Sequence, residues 1–93
     1  MDKYKDKALL DWTDDIILLN DNYIEQGLKK GYIGAVVENF IEERGSVLAD
    51  FFNPFTGEDI AVLAEIQKED FRVYSGSLED QKIGRAFREL FKK

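Results

Sequence analysis

The amino-acid sequence predicts a mainly β protein: a small antiparallel barrel of five strands, with a C-terminal amphipathic helix and a short N-terminal helical arm. Apolar residues alternate at period two in short segments that turn residues separate, and near the C-terminus the period changes to that of a helix. The chain of 93 residues has room for one small core. We therefore predict one domain over residues 1–93, with the barrel in residues 13–74 and the helix in residues 77–92.

The first residues contain a weak helical pattern. Tyr4, Ala8 and Trp12 are spaced four residues apart, which predicts a short helix over residues 1–12, with a frayed arm as the alternative. The β-branched and apolar run Ile16–Leu19 then predicts the first strand, and the side chains of Asn20–Asn22 favour a turn after it.

The middle of the chain predicts a hairpin. Residues 22–31 fit one helical turn or an ordered loop. Residues 32–41 carry apolar side chains on both faces of an extended segment, so this second strand needs cover on both sides. The polar residues 42–45 end in glycine and predict a hairpin loop, and residues 47–52 predict the third strand.

A strong turn and the clearest strand follow. Residues 53–57 contain proline and then glycine, which together predict a tight turn. Residues 59–66 alternate strictly, which predicts a fourth strand with Ile60, Val62, Ala64 and Ile66 on one face.

The end of the chain predicts a turn, a strand and a helix. Residues 68–71 predict a single tight turn before a short fifth strand at residues 72–74. Ser77 is a candidate N-cap with Asp80 three residues later, and the helix then has apolar residues at i, i+4, i+7 and i+8, namely Ile83, Phe87, Leu90 and Phe91.

The composition argues against an enzyme. The chain has no histidine, the usual side chain for acid–base chemistry at neutral pH, and no cysteine for disulfides or thiolate metal sites. Neighbouring acids such as Glu58 and Asp59 fit solvated turns better than a hydrolase pair or a calcium loop. We therefore predict no catalytic residues, no metal and no cofactor, in a protein of the reducing cytoplasm with no membrane segment.

The charge is unevenly distributed. Residues 1–77 hold 16 acidic and 8 basic side chains, a net −8, whereas residues 78–93 hold 3 and 5, a net +2. Most of the chain therefore repels phosphate and attracts basic surfaces.

The segments LKKGYIGAVVENF, DIAVLAEI and KEDFRVY resemble those of a family of small uncharacterised bacterial proteins with an SH3-like barrel. They are also similar to a relaxed KOW element of ribosome- and transcription-associated barrels. The resemblance implies an SH3-like fold and no particular activity. Basic residues around the glycine motif are sparser than in KOW proteins that bind RNA, which argues against a nucleic-acid role. The matching positions are Gly31, Gly34, Val36, Val37, Ala49, Asp50, Phe51, Gly57, Ile60–Leu63 and Asp70–Arg72.

Our leading interpretation is a small acidic protein-binding module, of the kind that an immunity protein or antitoxin represents, which inhibits a basic protein. Small size and negative charge favour fast, steered encounter with such a partner. The aromatic residues at the proline turn would contact the partner, unless the terminal helices cover them. The predicted partner-binding residues are Phe52, Phe55, Glu42, Glu43, Glu58 and Asp59.

The alternative interpretation is a KOW-like nucleic-acid- or ribosome-associated module. Its phosphate contacts would come from the basic residues that lie near aromatics, which otherwise form solvated surface. These residues are Lys29, Lys30, Lys82, Arg85 and Arg88.

Overall fold

The computed structural model describes residues 15–92, which form a five-stranded antiparallel sheet and a C-terminal helix. The predicted helical arm at residues 1–12 lies outside the described residues. The strands are β1 (Asp15–Leu18), β2 (Ile33–Phe40), β3 (Ser46–Phe52), β4 (Asp59–Gln67) and β5 (Phe71–Val73), and the helices are α1 (Ile41–Arg44) and α2 (Leu78–Glu89). Single 3₁₀ turns lie at Ile24–Gln26 and Lys68–Asp70. Within residues 15–92, neither α-helix has the length and apolar character needed to cross a membrane.

The sheet has the order β4-β3-β2-β1-β5 and is curled but open. Strands β4 and β5 form its two edges, yet only the three residues of the Lys68–Asp70 turn connect them. In a flat sheet the edges would lie about 19 Å apart, because neighbouring strands are about 4.8 Å apart. The sheet must therefore bend until its edges approach at this corner. Five antiparallel strands and a C-terminal helix are confirmed; the sheet does not close into a barrel.

The core fills the concave face of this sheet. Ile16 and Leu18 of β1 point into it on either side of Ile17, as the alternation of a strand requires. The buried side chains that pack together here are Ile16, Leu18, Leu28, Val47, Ala49, Phe51, Ala64 and Ile66.

The strict alternation predicted for the fourth strand is wrong at its centre. In the β3–β4 ladder Ala49 pairs with Ala64, but Phe51 pairs with Ala61, so Val62 and Leu63 together oppose the single residue Asp50. Leu63 takes a left-handed backbone conformation, with φ of 53°. Val62, predicted to share the face of Ala64, is therefore 56% exposed, whereas Ala64 is buried.

The connection between β2 and β3 also differs from the prediction. The predicted hairpin loop at residues 42–45 does connect the paired strands β2 and β3, but Ile41–Arg44 makes one turn of α-helix within it. Gly45 ends this turn with φ of 71°, and its N–H donates to the Ile41 carbonyl at 2.9 Å. Glycine occupies this position because the residue that ends the helix takes a left-handed backbone conformation.

Helix α2 packs on the convex face of β1, β2 and β5. The hydroxyl of Ser77 accepts a hydrogen bond from the Asp80 N–H at 3.1 Å, so the predicted N-cap is confirmed. Phe87 is buried and its ring centroid lies 5.2 Å from that of Tyr32 and 5.3 Å from that of Phe91. Gly84 faces Tyr74 and Ile33, and a Cβ at this position would make ordinary van der Waals contact with both side chains.

Candidate protein-binding surface

An ordered turn presents the tip of the β3–β4 hairpin. The Asn53 side chain accepts hydrogen bonds from the Phe55 N–H at 2.8 Å and the Thr56 N–H at 3.2 Å. The Gly57 N–H donates to the Asn53 carbonyl, and the Asn53 N–H donates to the Glu58 carbonyl, both at 2.8 Å. These bonds hold the backbone while the Phe55 ring extends outward, 56% exposed.

Four apolar side chains are exposed along this hairpin. Phe52 and Phe55 lie at its tip, and Val62 and Leu63 lie at the bulge. Phe52 is two residues from Asp50, the residue that opposes the bulge, so tip and bulge are about 7 Å apart along the strand. Single exposed apolar residues are ordinary, but several on one hairpin indicate a contact surface.

All the charged side chains of this hairpin are acidic. Residues 45–67 include four carboxylates and neither lysine nor arginine, a net charge of −4. The carboxylate of Glu65 is paired with Arg44 of α1, with 3.3 Å between Oε2 and Nε. Glu58 and Asp59 are exposed, and among residues 15–92 neither forms an ion pair. The tip therefore combines exposed aromatic rings with carboxylates that form no ion pair within the described part of the chain, and its Phe52 lines the same groove as Arg88 of α2.

The structure divides the predicted partner-binding residues. It brings Phe52, Phe55, Glu58 and Asp59 together at the hairpin tip. Glu42 and Glu43 lie on α1 at the other end of β3, roughly 20 Å away given the length of a seven-residue strand. The candidate surface therefore consists of the tip group alone.

The basic residues of the alternative interpretation lie around α2. Lys30 lines a groove of about 480 Å³ between α2 and β1, together with the apolar side chains of Leu19, Ile83 and Leu90. Arg88 lines a second groove, of about 270 Å³, on the other side of the helix. Lys82 and Arg85 are exposed on α2, and Lys29 is exposed next to Lys30. Lys30 and Arg88 therefore line different grooves, one on each side of the helix.

The buried carboxylate of Asp80 holds α2 against the sheet, and the sequence did not predict this role. Asp80 is fully buried; it accepts hydrogen bonds from the Ser75 N–H at 2.7 Å and the Ser75 hydroxyl at 2.8 Å. Arg72 Nη1 lies 2.6 Å from its other oxygen. The pKa of Asp80 is lowered, first by the Ser75 N–H, and burial opposes this effect. The sequence indicated Asp80 only as part of a helix cap.

A second buried carboxylate fastens the turn after β1. Asp70 accepts hydrogen bonds from the Tyr23 hydroxyl at 2.6 Å and from the side chains of Asn20 at 2.8 Å and Asn22 at 3.2 Å. These hydrogen bonds lower the pKa of Asp70, and the bond from the Tyr23 hydroxyl has the largest effect. Burial, and then the bond to Asp70, raises the pKa of Tyr23 to about 12. Residues 15–92 contain no group of three or more side chains that could hold a metal ion.

Comparison with known proteins gives no match: no family model, no curated protein and no solved structure is similar to the chain.

Proposed function

We propose that the protein is a small binding module that recognises a basic protein through the tip of the β3–β4 hairpin. The observation that carries the proposal is the exposure of Phe52 and Phe55 beside Glu58 and Asp59, on a hairpin without a cation. Protein interfaces combine an apolar centre rich in aromatic residues with a polar rim, and this tip has both parts.

The two parts of the tip would contribute differently. Burying the exposed area of each phenylalanine against a partner contributes about 1 kcal/mol, since full burial of such a side chain is worth about 1.5–3 kcal/mol. Glu58 and Asp59 would mainly steer and orient a basic partner, and so would raise the association rate at low salt. We propose an inhibitor of the immunity or antitoxin type, acting in the reducing cytoplasm, where proteins rarely carry disulfides and a chain without cysteine needs none.

We also propose that the sheet is a partly open form of the SH3-like barrel. The support is the curl of five short antiparallel strands and the three-residue connection between the two edges. NMR cross-peaks between backbone protons of β4 and β5 away from this corner would support closure in solution, and their absence would favour an open sheet.

A photo-crosslinking amino acid in place of Phe55 tests the binding proposal. The matched control carries the same amino acid in place of Leu90, which is comparably exposed on α2. Proteins captured in the source cells are identified by mass spectrometry, purified, and titrated against the full chain. We expect a basic protein that is captured at position 55 only, and an affinity at least tenfold weaker for the Phe55→Ser variant.

Two results would overturn the proposal. One is capture of the same proteins at both positions, and the other is a captured protein whose affinity does not change with Phe55→Ser or with Glu58→Lys. The nucleic-acid alternative has a different signature: salt-sensitive binding to single-stranded RNA that weakens when Lys29 and Lys30 are changed to glutamate.

A further inference from the structure

Leu63 occupies a backbone conformation that suits its side chain poorly. It is the only non-glycine residue among residues 15–92 with a positive φ, and it is half exposed. A side chain with a Cβ is disfavoured there, whereas glycine and asparagine accept this conformation more easily. Because Leu63 adds little to the core, folding alone does not explain a large apolar residue at this position. Residues held in rare backbone conformations concentrate at functional sites.

The bulge is held in place by its neighbour on β3. The Asp50 carboxylate accepts a hydrogen bond from the Leu63 N–H at 2.8 Å. The extra residue also moves Val62 out of the core face, so two adjacent apolar side chains are exposed on the edge strand of the sheet. They lie on the same acidic hairpin as Phe52 and Phe55.

Protection of the sheet edge explains only part of this arrangement. A bulge does discourage pairing with another chain, since it interrupts the row of backbone donors and acceptors. Edges protected in this way usually carry charged residues, however. Valine and leucine at a solvent-exposed bulge add nothing to this protection. The identity of the two side chains points to contact with another molecule.

We propose that Val62 and Leu63 form a second apolar anchor of the binding surface, which makes that surface elongated. The inference rests on the proposed function and adds the shape and chemistry of the partner. The partner would be a protein segment with an apolar strip roughly 15–20 Å long, enough to cover Leu63 to Phe55. Basic side chains flanking that strip would face the Asp50, Glu58 and Asp59 carboxylates.

A displayed library of random dodecapeptides, panned against the full-length protein, provides a defined probe. We expect enriched peptides in which lysine or arginine flanks apolar residues. Synthetic copies are then titrated against the wild type and against Phe55→Ser, Leu63→Asn and Leu90→Asn variants. Asparagine tolerates the left-handed backbone, so Leu63→Asn removes the apolar side chain without lowering the melting temperature.

The expected result is at least tenfold weaker binding to both the Phe55→Ser and Leu63→Asn variants, with Leu90→Asn equal to the wild type. Peptides that lose affinity for Phe55→Ser but not for Leu63→Asn would overturn the second anchor and leave the proposed function standing. A library that yields no binders, or only peptides indifferent to both changes, would overturn both. A fall in the melting temperature of Leu63→Asn by several degrees would show that Leu63 serves the fold, and would also overturn the anchor.

Discussion

Gly34 lies where β2 passes over Phe51, the largest buried side chain of the core. A Cβ on Gly34 would lie 2.6 Å from Cε2 of the Phe51 ring, well inside van der Waals contact. The ring is fully buried, and protein interiors are close-packed, so a methyl group at this position would force the ring or the strand to shift. The glycine at this position is therefore required by close packing between two strands, independently of any turn.

We predict that Gly34→Ala lowers the free energy of unfolding by about 2–3 kcal/mol, because overpacking a dense core forces side chains and backbone to shift. Urea denaturation followed by far-UV circular dichroism measures the change. A second substitution, Phe51→Leu, makes room for the methyl group, so the double variant should lose less than the sum of the two single changes. A single variant within about 0.5 kcal/mol of the wild type would contradict the close contact.

The raised pKa of Tyr23 determines how the stability of the protein should change at alkaline pH. Its pKa is raised from 10.0 to about 12, so the folded state holds the phenolic proton more tightly than the unfolded state. The corresponding stability is present below about pH 10 and is lost as the pH rises towards 12. We expect a loss on the order of 1–2 kcal/mol over this interval, after allowance for partial exposure.

Urea denaturation at several alkaline pH values measures this loss. The Tyr23→Phe variant should be less stable at neutral pH, because Asp70 and the Gln67 N–H lose a partner. The free energy of unfolding of this variant should then fall less than that of the wild type between about pH 10 and 12. Equal losses in the two proteins would show that the phenol of Tyr23 is not responsible.

At the scale of elements, the sequence predicts the strands and the helix, whose apolar residues recur at a regular spacing, but it does not predict the β-bulge that interrupts this spacing. A short apolar run located the first strand, alternation located the next three, and the fifth strand was predicted at residues 72–74, one residue later than the observed Phe71–Val73. The serine cap with its apolar spacing located α2. The bulge at Leu63 left no trace in the alternation, because a bulge depends on how twisted strands fit together. The buried network of Asp70 was missed for a related reason: its members lie 47 to 50 residues apart in the chain. For the candidate surface, the sequence indicated Phe52 and Phe55 at the tip, but not Val62 and Leu63.

The bulge provides a test at this scale. We predict that Asp50→Ala lowers the free energy of unfolding by about 1–2 kcal/mol, since the Leu63 N–H loses its acceptor. Asp50→Asn is the matched control, because its side-chain carbonyl keeps an acceptor in the same place. Thermal denaturation of both variants is the measurement. Equal destabilisation by alanine and asparagine would mean that the charge of Asp50, and not the hydrogen bond, matters.

At the scale of the whole molecule, two buried carboxylates join irregular segments to the sheet. Asp70 holds the turn after β1, and Asp80 holds the start of α2 through Ser75 and Arg72. Both pKa values are lowered in the folded state. Near pH 4 the unfolded chain therefore binds more protons than the folded protein.

We predict that stability is lost at acid pH through these two groups. Their contribution is present above the unfolded pKa of about 3.9 and disappears as the pH falls through the lower folded values. The Asp70→Asn and Asp80→Asn variants should lie well below the wild type at about pH 7 and approach it at about pH 3, in urea denaturation at each pH. Asp59→Asn, on the exposed tip, controls for the change in net charge. Differences that stay constant with pH would contradict the prediction.

The position of β1 between β2 and β5 has a consequence for synthesis of the chain. Ile16 pairs with Val73, 57 residues later, so one side of β1 stays open on the ribosome until β5 has emerged. Such distant pairing is slow, and a nascent strand with an open side is liable to stick to other chains. A stop codon before Phe71 would therefore yield a product that accumulates in inclusion bodies, whereas one placed after Tyr74 would still leave β1 a neighbour on each side.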